Sequence, residues 1–266
     1  MLGEDTRHGS RADGRSWIVP NRACSRAGGA SPHQFLVRHH QAHSPRNPSD
    51  RVQIPQSRWR ILDLGCANGE LLLELARALE GKLSFHLTGW DMNPLAIEHA
   101  RNTTRQQESR RGQAFGKMPV AFEVRNVFEA TAVDQASTGS VPPSTDRSGI
   151  EGLNEPPFDI VFCTLFLHHF DDPEAIHVLR AMKRLARVAV VVDDLQRSQV
   201  GWWLAYLGCH LLSRSPVVHF DGPQSVRAAL TVEEARELAG QAGLAQVLIR
   251  EHWPERYTMR WDREPC

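Results

Sequence analysis

The chain has 266 residues, 41% of them hydrophobic, which is enough for one α/β domain with a sizeable core and an extra segment. Equal numbers of basic and acidic residues, 31 of each, give no general reason to expect nucleic acid as a partner. The five scattered cysteines lack a C-x-x-C pair, which argues against a disulfide framework or zinc site and for a reducing compartment. No apolar run approaches the ~20 residues of a membrane span, and no signal-peptide core is present, so we expect a cytoplasmic protein.

Residues 1–57 differ in composition from the rest of the chain. They contain twice as many arginines as acidic residues, together with five histidines and five prolines. Such a stretch cannot bury enough apolar surface to offset its chain entropy, so we predict a flexible basic N-terminal segment. A contact with an anionic membrane and a lid over the active site are the alternatives. Residues 58–266 are predicted to form the folded domain.

A glycine-containing turn follows the first predicted strand. The apolar run Ile61–Leu64 predicts a buried strand, and a helical leucine pattern begins after Gly69. The turn between them starts at Gly65 and continues through Cys66 and Ala67. Glycines allow a ligand to approach the backbone closely, and the N–H groups that open a helix face it. The pattern predicts a nucleotide-binding turn, with a plain strand-to-helix turn as the alternative.

The residues around this turn distinguish two cofactor classes. A dinucleotide site requires G-x-G-x-x-G, whereas here Gly65 and Gly69 are four residues apart and Asp63 precedes them. A carboxylate at that position repels a pyrophosphate but can hold an ammonium group. The arrangement resembles the first motif of the class I S-adenosylmethionine (SAM)-dependent methyltransferases, with Ala67 in place of the middle glycine. The resemblance implies SAM as cofactor, its methionine end held by Asp63 and by the turn that includes Cys66.

The second and third strands are each followed by candidate cofactor contacts. Phe85–Trp90 predicts a strand that ends in Asp91, a position from which an acid accepts the ribose hydroxyls of SAM or of NAD. A simple helix N-terminal charge is the alternative for Asp91, and Met92 is expected to flank the adenine. After the strand Val120–Val124, the family resemblance places Asn126 and Val127 at the adenine, although the family usually has Asp at position 126. The carbonyl oxygen of Asn126 can still accept the adenine amino group, and an ordinary turn residue is the alternative. Residues 132–157 are predicted to be a flexible insertion.

The fourth predicted strand, Phe158–Cys163, leads through Thr164 into the run LFLHHFDDP. This run resembles the fourth motif of the ubiquinone- and menaquinone-type small-molecule methyltransferases. Thr164 is counted among the cofactor contacts. Asp172 is expected to cap the next helix and Pro173 to start it.

His168 and His169 lie at the carboxyl end of this central strand, where ligands bind in open α/β sheets. Methyl transfer from a sulfonium is an in-line displacement that depends on alignment. A phenolic or enolic acceptor also gains from losing its proton, which a histidine can accept at neutral pH. We expect His169 to be the base or orienting group and His168 an accessory; a packed histidine pair is an equally open alternative.

Residues 195–230 form the predicted substrate-cap region. The acids Asp193 and Asp194 end a fifth strand, Val188–Val192, and without a third acid no metal site is expected. A helix over residues 201–212 carries Trp202, a candidate contact for a hydrophobic acceptor; burial in the core or contact with a membrane are alternatives. A turn-rich stretch over residues 214–229 follows, with His219 and Asp221 as further substrate candidates.

The final elements complete the predicted fold. A capping box at Thr231 starts a helix that stops at Gly243, and two strands, Ala245–Glu251 and Arg256–Trp261, follow. We therefore expect a Rossmann-like class I methyltransferase fold, with a seven-stranded, mostly parallel sheet, helices on both faces and an antiparallel C-terminal hairpin.

Three segments also resemble a bacterial subgroup that often occurs beside polyketide-synthase-type enzymes: Asp194–Gly201, Ser215–Arg227 and His252–Pro254. The expected reaction is methyl transfer from SAM to oxygen, or carbon, of a hydrophobic aromatic, polyketide or quinol-like small molecule. Three alternatives remain open: a catalytically inactive SAM-binding partner or regulator, an NAD-dependent oxidoreductase, and an RNA methyltransferase assisted by the basic N-terminal segment. Asp63 and the glycine spacing disfavour the oxidoreductase.

Overall fold

The structure is a computed structural model that describes residues 58–111, 118–129 and 156–264. The predicted basic segment 1–57 and nearly all of the predicted insertion 132–157 lie outside the described residues. Strands and helices alternate along the chain, with a short 3-10 helix at Leu167–His169 that we call the histidine turn. The elements are β1 (Trp59–Leu64), α1 (Glu70–Leu79), β2 (Phe85–Asp91), α2 (Pro94–Arg111), β3 (Val120–Val124), β4 (Phe158–Thr164), α3 (Asp172–Leu185), β5 (Ala186–Leu195), α4 (Gln199–Leu212), α5 (Pro216–Ala228), α6 (Val232–Gln241), β6 (Leu248–His252) and β7 (Arg256–Asp262).

The seven strands form one sheet in the order β3-β2-β1-β4-β5-β7-β6. Strands β1 to β5 run parallel, whereas β7 is antiparallel to both β5 and β6. The strand order reverses between β1 and β4, and ligands bind at such a switch point beyond the carboxyl ends of the strands. The predicted seven-stranded, mostly parallel sheet with an antiparallel C-terminal hairpin is confirmed.

Hydrophobic side chains cover both faces of the sheet. Leu62 of β1 and Val161 of β4 belong to one core cluster, whereas their neighbours Ile61 and Ile160 belong to the other. Alternate residues of a strand point to opposite faces, so a strand covered by helices on both sides reads as a continuous apolar run. This explains why the central strands were recognisable in the sequence. Within the described residues, no helix is both long and apolar enough to cross a membrane.

The start of α3 differs from the prediction by one residue. Its N-cap is Asp171, not Asp172: the Asp171 carboxylate accepts the Glu174 N–H at 2.9 Å, and the Glu174 carboxylate accepts the Asp171 N–H at 3.3 Å. This reciprocal pair is a capping box, which requires a glutamate three residues after the cap. Asp172 lies instead in the first turn, where its negative charge interacts favourably with the positive end of the helix dipole.

The segment predicted to be turn-rich is the helix α5, so that prediction was wrong. Pro216 occupies the first turn of this helix, where its missing N–H costs nothing. Pro223 lies inside the helix and is buried, so apolar packing offsets the hydrogen bond it cannot donate. Strand β5 is also longer than predicted, because its residues from Ala189 to Leu195 pair with β7. The sequence of β5 alone does not indicate that its last residues pair with β7.

Gly89 in the middle of β2 provides a test of core packing. A Cβ atom there would lie 2.7 Å from the Cys66 sulfur and 2.7 Å from a Leu72 methyl carbon. We expect Gly89→Ala to lower the free energy of unfolding by about 1–3 kcal/mol through overpacking. Gly240→Ala is the matched control, because nothing lies within 4 Å of its Cβ position; this helical substitution should stabilise by about 0.5–1 kcal/mol. Urea denaturation measures both, and equal effects would contradict the described packing.

Candidate active site

The turn after β1 has a backbone shape that requires glycine. Gly65 and Gly69 have φ angles of 72° and 75°, in the left-handed region that side chains disfavour. A Cβ on Gly65 would lie 2.2 Å from the Phe166 ring, and one on Gly69 would lie 2.5 Å from the Phe122 ring. The N-cap of α1 is Gly69, which has no side chain to cap the helix, and the Asn68 oxygen accepts the Glu70 N–H at 3.4 Å. The N–H groups that follow in the first turn are available to a ligand.

Asp63, at the end of β1, is a buried carboxylate, and its side chain pairs with no cation among the described residues. It is 2% exposed, and burial, followed by the negative charge of Asp91, raises its pKa well above the usual value. Burying an ionised carboxylate without a compensating partner is unfavourable. A ligand with a positive charge placed at this position would supply the missing compensation, which fits the ammonium group of an amino acid.

Asp91 joins the glycine turn to the end of β2. One carboxylate oxygen accepts the Ala67 N–H at 2.9 Å, and the other accepts the Asn93 N–H at 2.8 Å. Each oxygen keeps a second lone pair, so the carboxylate can still accept two hydroxyl groups. Met92 beside it is 71% exposed, which leaves its side chain available to a flat ring.

Three further predicted cofactor contacts lie in different environments. The Asn126 oxygen accepts the Phe128 N–H at 3.0 Å, so the expected acceptor of an adenine amino group is already engaged by the backbone. The side chains of Val127 and Cys66 are buried in the two core clusters. Burial also raises the pKa of the Cys66 thiol. At this site Cys66 and Val127 therefore offer only backbone groups to a ligand.

The chain reverses sharply after β4. Thr164 ends the strand, and its hydroxyl oxygen is buried without a hydrogen-bond partner in the described part of the chain. Leu165 then adopts a φ of 51°, which is rare for a bulky residue, and its N–H donates to the Asp193 carbonyl at 2.9 Å. This reversal brings Phe166 onto Gly65 and places the histidine turn beside the glycine turn. Neither the contact of Phe166 nor the strained Leu165 was predicted.

His168 and Asp194 form a buried pair between β4 and β5. The Asp194 carboxylate accepts the His168 backbone N–H at 3.1 Å, and its other oxygen lies 2.6 Å from His168 Nδ1. Burial raises the pKa of Asp194, but the charge and hydrogen bonds of His168 outweigh it and hold the pKa below its usual value. An ionised Asp194 accepts a hydrogen bond, so Nδ1 carries the proton and Nε2 is left as the proton acceptor.

His169 has a different character from its neighbour. His169 is exposed as a residue, and its ring lies 4.2 Å, centroid to centroid, from the His168 ring. The protein around the ring removes part of its hydration, and the positive charge that His168 carries whenever it is protonated adds to this effect, so the pKa of His169 falls to about 4 despite Asp194. His169 is therefore neutral near pH 7 and a weak proton acceptor. Asp194, which the sequence suggested only as a metal ligand, provides the better-supported acid–base partnership.

Asp193 and Asp194 point in opposite directions from β5. The Asp193 carboxylate accepts hydrogen bonds from Arg256, from His252 at 3.1 Å and from Thr258 at 2.8 Å. Successive residues of a strand alternate between faces, so the two acids do not converge on one position. Over residues 58–111, 118–129 and 156–264, no three His, Cys, Asp or Glu side chains form a group that could hold a metal ion.

Of the predicted substrate contacts, one lines a cavity and two do not. Trp202 and Trp203 border a cavity of about 420 Å³ together with Arg227, whose guanidinium lies 5.2 Å from the Trp202 ring centre. Helix α5 also packs against the histidine turn. His219 instead stacks on His210, and its Nε2–H donates to the Ser213 carbonyl at 2.8 Å. Neither His219 nor Asp221 lines the cavity.

A family model described as a methyltransferase domain matches residues 55–200, more than half of the chain. The chain belongs to this methyltransferase family. A comparison of this sequence with curated proteins found no match. The family match and the fold together confirm the sequence-based prediction of a class I SAM-dependent methyltransferase.

Solved structures resemble this methyltransferase at the level of the fold. Magnesium protoporphyrin IX methyltransferase from Synechocystis, solved with bound S-adenosylhomocysteine (SAH), is 14% identical with a TM-score of 0.51, over 87% of this chain and 80% of that one. The CMeT domain of the citrinin polyketide synthase is 16% identical with a TM-score of 0.56, over 88% and 52% of the two chains. An O-methyltransferase family protein from Burkholderia thailandensis is 18% identical with a TM-score of 0.50, over 77% and 51%.

The low pKa of His169 can be measured directly. In an NMR titration its imidazole should remain neutral until the pH falls to about 4, because the folded site disfavours its charged form. The same residue in the urea-unfolded chain should titrate near the ordinary histidine value of about 6.5. The titration of His169→Ala identifies the signal. A folded-state midpoint close to that of the unfolded chain would contradict the described environment.

Proposed function

We propose that this methyltransferase transfers the methyl group of SAM to an oxygen, or a carbon, of a hydrophobic aromatic, polyketide or quinol-like small molecule. The observation that carries the proposal is that two buried groups lie at the carboxyl ends of neighbouring strands. One is Asp63, a carboxylate without a cationic partner among the described residues, and the other is the His168–Asp194 pair. The first group selects a cationic cofactor, and the second can take a proton from an acceptor. The reducing compartment that suits its free thiols would be the cytoplasm.

On the cofactor side, Asp63 binds the ammonium group and the N–H groups that open α1 bind the carboxylate of the methionine end. SAM, when bound, supplies a methyl group on a positively charged sulfur. Asp91 accepts hydrogen bonds from the ribose hydroxyls through its remaining lone pairs. Met92 flanks the adenine, and Asn126 contributes its remaining amide capacity, while Thr164 offers its unpartnered hydroxyl. The SAH bound in the Synechocystis relative supports this choice of cofactor.

On the acceptor side, His168 is the group we assign as the base. Asp194 holds the proton on Nδ1, so Nε2 can accept the proton of a phenolic or enolic hydroxyl. His169, neutral and exposed above it, orients the acceptor rather than removing its proton. Alignment of the acceptor with the transferred methyl group is the larger catalytic task.

The cavity beside α4 is the part of the surface that fits the acceptor. Trp202, Trp203 and Val226 give it apolar walls, and the guanidinium of Arg227 lies at its edge. Flat aromatic molecules pack well against indole rings. None of the residues that line this cavity is acidic, so an acceptor that carries a phenolate or carboxylate meets no like charge there. The fold shared with a polyketide-synthase domain agrees with this class of acceptor.

A SAM-binding protein without catalysis is the second candidate. The bond from the Phe128 N–H to the Asn126 oxygen favours it, because only one lone pair of that oxygen is left for an adenine amino group. Turnover with any acceptor excludes it. Tight SAH binding with no turnover, unchanged in His168→Ala, would favour it instead.

The role of Asp63 predicts that replacing its carboxylate weakens cofactor binding without destabilising the unliganded protein. In Asp63→Asn the affinity for SAH should fall by about 10–100-fold, because a charge-assisted hydrogen bond of about 1.5–3 kcal/mol is lost. The raised pKa of Asp63 means that its ionisation opposes folding as the pH rises, so the unliganded variant should be no less stable at pH 7. Calorimetric titration and thermal denaturation measure the two effects. Unchanged affinity for SAH in a folded variant would contradict the assignment.

The affinity of the wild-type protein for SAH should also depend on pH. Because burial raises the pKa of Asp63, the carboxyl binds a proton more readily than usual as the pH falls. The ammonium group requires the ionised form, so affinity should be highest well above the Asp63 pKa and decrease as the pH falls through it. In Asp63→Asn this part of the pH dependence should disappear. Titrations repeated from pH 8 to about pH 5 provide the measurement.

The base assignment predicts a ranking of histidine variants. His168→Ala should lower kcat about 10²–10⁴-fold with unchanged SAH affinity, as expected for loss of a general base. Asp194→Asn should also lower kcat, because its amide would donate to Nδ1 and move the proton to Nε2. His169→Ala should have the smaller effect, and His177→Ala, at an exposed position of α3, should have none. SAH formation with a panel of phenols and quinols measures the rates.

A larger loss of kcat in His169→Ala than in His168→Ala would overturn the base assignment. The pH–rate profile distinguishes a base from a packing residue. A base gives an acid limb that is lost in His168→Ala, whereas a packing role changes the rate without altering the shape of the profile.

A further inference from the structure

The outer face of α4 carries an apolar stripe. Val200, Trp203, Leu207 and Leu211 recur at helical spacing and are all more than half exposed, Leu211 at 81%. Residues spaced by three and four positions lie on one face of a helix. A surface helix normally turns such a stripe inward, yet here the side of α4 nearer the protein holds Gly201 and other half-buried residues. The stripe therefore faces away from the core, and within α4 the Trp203 ring contacts the Trp202 and Tyr206 rings.

The same apolar surface continues onto α5 across the connection between the two helices. Leu212 at the end of α4 is 74% exposed, and Val217 and Phe220 of α5 are 60% and 56% exposed. Helices α4 and α5 pack against each other, so these side chains belong to one helical hairpin. We call residues 199–220 the apolar hairpin. Large contiguous apolar patches on a protein surface indicate an interaction site.

The charge of the apolar hairpin indicates the kind of partner. Arg214 at the tip of the hairpin is the one formally charged residue of 199–220 at pH 7, and Asp221 and Arg227 follow on α5. Helices α4 and α5 with their connection therefore carry a small positive net charge. His210 and His219 can only add positive charge. The exposed aromatic residues Trp203 and Tyr206 are of the types enriched where a membrane meets water. An anionic lipid surface attracts basic groups and accepts such apolar side chains among its headgroups.

We propose that the apolar hairpin docks peripherally on the surface of an anionic lipid bilayer. Helix α4 has 14 residues, a length of about 21 Å at 1.5 Å per residue, which is shorter than the ~30 Å hydrocarbon core. The helices therefore lie along the interface, with Leu211, Leu212 and Phe220 inserted among the acyl chains. The docked hairpin brings α5, and with it the histidine turn, towards the membrane surface.

Two other occupants of the apolar hairpin fit less well. Residues 1–57 carry twice as many arginines as acids, so their net positive charge would meet Arg214 rather than an opposite charge. A second copy in a symmetric dimer would bring two hairpins of the same positive sign together, because such an interface uses the same surface twice. Anionic headgroups, in contrast, bring a negative charge to Arg214.

Sedimentation with lipid vesicles tests the proposal on the full-length chain. The wild type should sediment with vesicles of phosphatidylcholine and phosphatidylglycerol and less with phosphatidylcholine alone. The double variant Leu211→Glu/Phe220→Glu should bind the anionic vesicles at least about tenfold more weakly, because it removes two apolar side chains that insert into the bilayer and adds repulsion from the anionic headgroups. Leu248→Glu is the matched control: Leu248 is 49% exposed on β6, outside the hairpin. Its binding should equal that of the wild type.

Each competing explanation has its own outcome. If the basic segment 1–57 alone bound lipid, the double variant would bind as well as the wild type, which overturns the proposal. If a second copy covered the hairpin, sedimentation velocity would show a dimer that the double variant dissociates, with no vesicle binding by the wild type, which also overturns it. Circular dichroism and SAH titration confirm that each variant is folded. Vesicle binding does not require methyl transfer, so this test is independent of the proposed reaction.

Discussion

The close contact between Gly65 and Phe166 is the constraint on which the arrangement of the site depends. A Cβ at position 65 would lie 2.2 Å from the aromatic ring, so the turn after β1 and the turn after β4 can approach only because a side chain is missing. The left-handed backbone of Gly65 and of Leu165 allows both turns to bend towards each other. In the function we propose, this contact holds the cofactor groups of β1 beside the acceptor groups that follow β4, and methyl transfer depends on that alignment.

Electrostatics divides the site into two halves with opposite requirements. Asp63 is buried without a cationic partner among the described residues, whereas the buried Asp194 carboxylate accepts three hydrogen bonds, two from His168 and one from the Leu195 N–H. The ionised form of Asp63 is disfavoured in the unliganded protein, so a cationic ligand would stabilise it on binding. Asp194 is already satisfied and fixes the proton of His168. The opposite pKa shifts of the two acids follow from this difference.

The sequence predicted the sheet and the cofactor turn well because both depend on local patterns. Apolar runs marked β1 to β4, and glycine spacing with Asp63 marked the turn. It did not predict the acid–base contacts around the two histidines, because those contacts join residues that are distant in the sequence. The pairing of His168 with Asp194 spans 26 positions, and the low pKa of His169 arises from its folded surroundings. The helix α5 was missed because Pro223 and its neighbours resemble a turn when the burial of Pro223 is unknown.

Calorimetric titration of SAH into the purified full-length protein, with NAD as the control ligand, tests the central claim most directly. The account predicts one molecule of SAH bound per chain with micromolar affinity and no measurable binding of NAD, because Asp63 attracts an ammonium group and repels a pyrophosphate. Micromolar affinity corresponds to about 8 kcal/mol, well within calorimetric range. A folded protein that binds NAD and not SAH would contradict the account.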